Sequence, residues 1–248
     1  MENYEKVEKI GRGNYGLVHL VKRKIDGRFF ALKRVPIDLD ASNGSKAINN
    51  EISVLKQLNH VNVVQYHDSF IEKDYLCISM DYCEKGDLQK RIKSAKASKK
   101  IFQQALILDW FVQLCLGLQH IHNKKVLHRD LKSQNIFITK ENRVKIGDFG
   151  ISKMLENTVQ LAGTSLGTPY YLSPEICLGQ KYDYKSDLSM LGCVLYEMCA
   201  LRRPFEGESL QQVVHKIIEQ PYEVLDEDHF DPIFNEILAM LLNKNAGF

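Results

Sequence analysis

His128-Arg129-Asp130-Leu131-Lys132-Ser133-Gln134-Asn135 is the stretch on which the reading of this chain turns. Its five fixed letters, His-Arg-Asp-Leu-x-x-x-Asn, should coincide by chance in a chain of 248 residues on the order of once in ten thousand. Thirteen residues after Asn135 comes Asp148-Phe149-Gly150, and Val144-Lys145-Ile146 between them reads as the end of a hairpin. Two carboxylates and an amide are thereby brought to adjacent loop ends. Phosphoryl transfer needs such a set: one carboxylate beside the attacking hydroxyl, and oxygen ligands for a Mg²⁺ that bridges the phosphates.

Working back toward the N-terminus, Gly11-Arg12-Gly13-Asn14-Tyr15-Gly16-Leu17-Val18 matches GxGxxGxV. Alone the pattern is weak, and its rival is a dinucleotide site, which requires a helix directly after the glycines. Leu17-Val18-His19-Leu20-Val21 follows instead, a strand pattern, so the glycines read as a hairpin tip whose backbone can approach phosphates. Phe30-Ala31-Leu32-Lys33 then places a lysine on the third strand, and Glu51 stands on a following helix pattern, just before its apolar stripe. A lysine that bridges phosphate oxygens must be held in place, which a facing glutamate can do. Taken singly, both would read as surface charges.

Around these motifs the first third of the chain reads as short strands, Tyr4–Ile10, Leu17–Lys22 and Arg28–Val35, with a hairpin signal at Asp26-Gly27. A helix is expected over Lys46–Leu58, followed by strands at Val61–Tyr66 and Tyr75–Met80. From Lys85 the pattern becomes helical. Phe111, Leu114, Leu118 and Ile121 form one apolar stripe, and Ser189–Leu201 is apolar on nearly every face, as in a helix buried within its lobe. The expectation is an α+β fold of two lobes: a β-rich lobe over about 1–80, a connector over about 81–86, and a helical lobe over about 87–248.

Length and composition agree with this. One domain of two lobes can bury a core without staples at 248 residues, and 44% hydrophobic with 26% charged residues excludes wholesale disorder. A net charge of +2 argues against nucleic acid or an acidic membrane as the main partner. Cys77, Cys83, Cys115, Cys177, Cys193 and Cys199 include no close CxxC pair and sit mostly in apolar runs. A reducing compartment, and so a cytoplasmic location, is expected rather than a zinc site or disulfide framework. Met1–Lys9 is charged throughout, unlike a signal peptide, and no apolar stretch reaches membrane-spanning length. Lys85–Lys100 carries seven cations against Asp87 alone; such a run could meet an acidic partner and is read here as a solvated helix face.

With these motifs in order and correctly spaced, the chain resembles a eukaryotic protein kinase from Ile10 to its last residue. Tyr82-Cys83-Glu84-Lys85-Gly86-Asp87-Leu88, the continuation Ile136-Phe137, and Gly167-Thr168-Pro169-Tyr170-Tyr171-Leu172-Ser173-Pro174-Glu175 resemble the NIMA-related serine/threonine kinases. The resemblance implies transfer of the γ-phosphoryl group of Mg·ATP to a Ser or Thr hydroxyl of a protein substrate. It implies Asp130 as the catalytic base, Lys132 as the residue neutralising the transferred phosphoryl group, and Asn135 and Asp148 as Mg²⁺ ligands. Lys33 would hold the α- and β-phosphates, paired with Glu51. Around ATP would lie Ile10, Gly11, Arg12, Gly13, Asn14, Tyr15 and Gly16 above the phosphates. Val18, Ala31 and Phe137 would enclose the adenine. Asp81 and Cys83 in the connector would hydrogen-bond it, behind Met80 as gatekeeper, and Asp87 would reach the ribose. Leu55, Tyr66, His128 and Phe149 would stack as an apolar spine above Asp187. Thr164 would be an activating phosphosite with Arg129 and Lys153 as its partners. Cytoskeletal or cell-cycle partners are implied by family alone.

Two departures from the family stand out. Ser189 occupies a position where these kinases carry Trp, a replacement costing about 3–5 kcal/mol unless a neighbour such as Met190 fills the space. Leu241–Phe248 resembles the run that leads into an Arg-Pro pair, whose arginine would pair with Glu175; losing such a partner costs about 3–5 kcal/mol. A truncated, marginally folding C-lobe that lacks its final helices is therefore expected. The rival reading is a catalytically weak or silent kinase-like binding module.

Overall fold

The computed structural model describes residues 2–13, 16–37, 52–148 and 169–244. The chain divides into two compact units, with the division between Glu84 and Lys85.

The first unit is built on a five-stranded antiparallel sheet of order β1-β2-β3-β5-β4. Its strands are β1 (Tyr4–Gly13), β2 (Gly16–Arg23), β3 (Phe29–Pro36), β4 (Tyr66–Glu72) and β5 (Tyr75–Asp81). The expected Asp26-Gly27 hairpin joins β2 to β3. Gly27 takes the positive φ of 69° that the turn demands, and Asp26 accepts from the Arg28 N–H at 3.2 Å. Strand alternation puts Tyr4, Val21, Phe30, Leu32 and Cys77 into one buried cluster. Tyr4 of β1 stacks on Phe70 of β4, their rings 6.0 Å apart, so the edge strands curl toward each other over that cluster. Val18, Lys33 and Ile78 are paired across the sheet, as are Leu20, Ala31 and Met80, and both rows lie on the opposite face.

One expected strand is displaced. Val61–Tyr66 does not form a strand; the ladder begins only at Tyr66. The apolar run looked like a strand because Val63 and Val64 are buried. His60 folds the backbone there instead, taking the Asn62 N–H on its ring at 3.1 Å and the Val63 N–H on its carbonyl at 3.0 Å. Residues 52–57 are helical, as expected, and bury Leu55; the earlier part of the expected helix lies outside the described residues.

The second unit is mainly helical: α1 (Leu88–Ala97), α2 (Gln104–Asn123), α3 (Pro174–Cys177), α4 (Tyr184–Ala200), α5 (Leu210–Glu219) and α6 (Pro232–Leu241). A small hairpin, β6 (Ile136–Ile138) with β7 (Val144–Ile146), sits against α2. The stripe read on α2 is the buried one, with Ile107, Trp110, Leu114, Leu118 and Ile121 essentially inaccessible. Helix α4 is buried on almost every side from Ser189 to Cys199, which accounts for its lack of a polar face. Asp183 caps it through the Lys185 N–H at 2.7 Å, and Leu201 closes it in the left-handed region at φ 52°. Gly192 lets α6 approach α4 closely: a Cβ there would stand 2.8 Å from Leu241 Cβ.

Candidate active site

The decisive octapeptide folds as a loop running into a 3-10 turn at Ser133–Asn135, directly before β6. Asp130, Lys132 and Asn135 meet there. Lys132 Nζ lies 2.8 Å from Asp130 Oδ2, and Asn135 Nδ2 donates to the same oxygen at 3.0 Å and to the Asp130 carbonyl at 2.8 Å. Both side-chain bonds go to Oδ2, so Oδ1 is the carboxylate oxygen that neither residue takes. With its amide nitrogen spent on Asp130, Asn135 presents its carbonyl oxygen elsewhere. Asp148 is half-buried in the left-handed region at φ 56°, one residue beyond Gly147, whose N–H donates to the Asn135 carbonyl at 2.9 Å.

Asp187 of α4 holds this loop from inside the protein. Its fully buried carboxylate accepts the main-chain N–H groups of His128 at 2.9 Å and Arg129 at 3.0 Å. It also takes the ring of His122 at 2.8 Å and the hydroxyl of Tyr182. Burial alone pushes a carboxyl upward, yet the His122 bond, the facing His128 and the other donors hold Asp187 below the usual carboxylate value. Arg129, held in this way, takes the left-handed φ of 64°.

A second buried network was not legible in the sequence. Tyr171 donates to Glu197 Oε2 of α4 at 2.5 Å, and Ser133 of the catalytic turn lies 3.0 Å from the same hydroxyl. Because the Tyr171 proton goes to the carboxylate, Ser133 is the donor in its own bond. Burial raises the Glu197 carboxyl above its ordinary value against the pull of Tyr171 and Ser133. Tyr171, Glu197, Tyr182 and His122 belong to no fixed pattern that single-sequence reading could use, and only packing reveals them.

The remaining candidates fall into two groups. In the first unit, Gly11, Val18, Ala31, Lys33 and Met80 occupy one face of the sheet, with Ala31 and Lys33 buried and Ile10 half-buried on β1. Arg12 and Gly13 end β1. Gly16 has φ 153°, and a Cβ there would fall 1.8 Å from the Arg34 carbonyl oxygen. Its glycine is therefore demanded by the neighbouring strand β3. Asp81, the last residue of β5, is pinned through its side chain. His67 Nε2 lies 2.7 Å from Oδ1, and the Gln65 N–H donates to Oδ2 at 3.2 Å. A β-bulge between Tyr66 and Asp68 turns His67 to this task. Cys83 is buried just beyond.

In the second unit, Asp87 caps α1, accepting the Lys90 N–H at 2.8 Å and pairing with Lys90 Nζ at 3.0 Å. It also bridges to Phe137 of β6, bringing those two candidates together. Asn14, Tyr15, Glu51, Phe149, Lys153, Thr164 and Thr168 lie outside the described residues. Ser189 is buried, and the adjacent Met190 is buried with its sulfur 3.5 Å from the Tyr182 hydroxyl, in keeping with the role of filler. Glu175 accepts from the Ser186 hydroxyl.

A His-Arg-Asp loop clamped by a buried aspartate, a lysine-bearing β-sheet unit and a helical unit define the protein kinase class. The protein kinase domain model matches residues 4–246. Similar proteins include mouse serine/threonine-protein kinase Nek1, 46% identical across 99% of this chain and 20% of its own length. Human Nek5 is 44% identical across 98% of this chain and 34% of its own length, and zebrafish Nek8 42% identical across 100% and 35%. The chain belongs to the protein kinase domain family, and the NIMA-related resemblance read from its motifs holds across these relatives. It spans about a fifth to a third of the length of the relatives it matches. Among the described residues, no helix is long and apolar enough to cross a membrane.

Proposed function

We propose that this chain is an ATP-dependent protein serine/threonine kinase in which Asp130 accepts the proton of the substrate hydroxyl. The observation that carries this reading is the shared bonding of Lys132 and Asn135 to one oxygen of Asp130. The two bonds orient the carboxylate and leave Oδ1 for the hydroxyl that attacks phosphorus. Lys132 brings a positive charge to the place where charge builds up on the transferred phosphoryl group. Lys33, Gly11, Val18, Ala31 and Met80, with Asp81, Cys83, Phe137 and Asp87, form the proposed nucleotide set.

Mg²⁺ fits the donors present. It selects hard oxygens, and the Asn135 carbonyl oxygen and the Asp148 carboxylate are both of that kind. When bound, Mg·ATP supplies the phosphoryl group and neutralises the phosphate charge. The residues of the chain position the acceptor and hold its proton. Protein substrates in a reducing compartment, the cytoplasm included, agree with six free cysteines, two of which, Cys193 and Cys199, burial pushes up to about 12. By family resemblance the substrates belong to cytoskeletal or cell-cycle machinery.

The test is radiolabelled phosphoryl transfer from Mg·ATP to a Ser/Thr peptide library by the wild type and by Asp130→Asn. Loss of the base should lower kcat by a factor of about 100 or more. Equal labelling by both proteins would remove the catalytic claim.

A further inference from the structure

The basic run that the sequence offered as a solvated face has a geometry tied to the catalytic loop. Helix α1 contains no acidic residue; its only adjoining acid, Asp87, is its N-cap and is engaged with Lys90. The helix buries Leu88, Ile92 and Ala95. Beside that buried stripe, Gln89, Lys93 and Lys96 follow one another at i, i+4 and i+7, which places them in one row along the helix. Gln89 is half-buried, and Lys93 and Lys96 are exposed.

The row begins at the catalytic loop. Gln134, four residues after Asp130, donates its side-chain amide to Gln89 Oε1 at 3.1 Å. From that contact, Lys93 lies about 6 Å and Lys96 about 10 Å further along the helix axis. Lys99 and Lys100 continue the positive charge beyond the helix end. Seven cations against one acid in Lys85–Lys100 contrast with a total of +2 for the whole chain, so the remaining residues are net negative. Of these cations, Lys93 and Lys96 form the row that begins beside the residues that would hold the acceptor.

We propose that the Lys93–Lys96 row of α1 is a substrate-reading surface, and that it selects protein substrates carrying acidic residues several positions from the phosphoacceptor. This inference rests on the kinase reading and adds the substrate class to it. Charge complementarity fixes the occupant: an extended acidic segment leaving the catalytic loop past Gln89 meets successive ammonium groups, whereas a basic segment meets repulsion.

The experiment compares two synthetic peptides, each with one central Ser, flanked on both sides by Glu in one and by Gln in the other. The readout is the ratio of their kcat/KM values, in which any loss of folded protein cancels. The wild type should favour the Glu peptide by about fivefold, as expected for two exposed ion pairs. That ratio should fall to about one or invert in the double variant Lys93→Glu/Lys96→Glu, and shrink toward one in the wild type at high salt. A wild-type ratio of one, or a double variant that keeps the preference, overturns the inference while leaving the kinase reading intact. Failure of the wild type to label either peptide or a mixed Ser/Thr library overturns both.

Discussion

The main-chain N–H of Asp130 donates to Nδ1 of His128 at 3.2 Å. The same ring lies with Nε2 3.0 Å from the Gly147 carbonyl, the residue before Asp148. One imidazole thus joins the two loop ends that carry the candidate carboxylates. Because Nδ1 is the acceptor, the ring is neutral with its proton on Nε2. A second proton on Nδ1 would break the bond that positions Asp130.

This arrangement predicts a loss of stability in mild acid. Burial of the fully inaccessible ring lowers His128 below its ordinary value of 6.5, against the opposing pull of Asp187, Gly147, Asp130 and Asp148. Below pH 6.5 the unfolded chain takes up a proton that the folded chain resists, so the free energy of unfolding falls from there down to the folded value. Urea midpoints measured from pH 7.5 to 5 should decline in the wild type. His128→Asn, less stable throughout, should show a flatter decline. Parallel slopes in the two proteins would show that this histidine does not carry the linkage.

Asp187 of α4 should be the most stability-critical single polar residue around the loop. Four donors converge on its carboxylate, two of them the main-chain N–H groups of His128 and Arg129. Asp187→Ala strips all four of their acceptor, at a cost of about 3–5 kcal/mol, and should lower Tm by roughly 10 °C. His122→Ala removes one donor only and should cost much less. The sign with pH follows from the depressed carboxyl: its contribution is present above about 3.8 and lost as pH falls through the lower folded value. A thermal-shift series that ranked His122→Ala as the worse variant would contradict this.

The sequence was readable where chemistry imposes fixed spacing. Asp130 and Asn135 were named from their letters and Lys132 from the resemblance, and the hydrogen bonds among them follow from lying within one short loop and turn. Alternation was equally legible: Val18, Ala31 and Lys33 share a face because side chains on paired strands must. Burial misled at Val61–Tyr66, where Val63 and Val64 are apolar for packing while His60 bends the backbone. Long-range polar partners left no trace: Tyr171 stands 26 residues from Glu197 and 38 from Ser133 along the chain, yet its hydroxyl joins both. The glycine pattern mixes reasons, since β3 itself demands Gly16 while Gly11 has room for a Cβ.

That difference within the glycine loop is testable. A methyl group at Gly16 would collide with the Arg34 carbonyl at a φ few side chains adopt, whereas one at Gly11 meets, among the described residues, Val18 alone at 3.8 Å, an ordinary contact. Gly16→Ala should therefore destabilise the fold by about 1–3 kcal/mol. Gly11→Ala should leave Tm within about 2 °C of wild type, so that any rise in its KM for ATP reports on nucleotide approach. Equal melting of the two variants would mean that the β2–β3 crossing relaxes at Gly16.

Gly192 offers the corresponding test inside the helical unit. It lies on α4 where that helix is buried, and a Cβ would stand 2.8 Å from Leu241 Cβ and 2.9 Å from Leu242 Cδ2 of the segment that ends α6. The nearest atom is the root of a side chain, so no rotamer change relieves the contact; α6 itself must move. Overpacking of this kind costs about 1–3 kcal/mol, and Gly192→Ala should lower Tm by roughly 5 °C. Leu241 is half-buried, so Leu241→Ala alone leaves its Cβ in place and loses only packing. The collision at Cβ then persists in the double variant, while the Leu242 contact gains room as α6 shifts into the space left by the missing isobutyl group. The two changes should therefore be sub-additive by only about 0.5–1 kcal/mol. Full rescue would place the clash at the tip of Leu241 instead, and strict additivity would mean that α6 does not pack on Gly192 in solution.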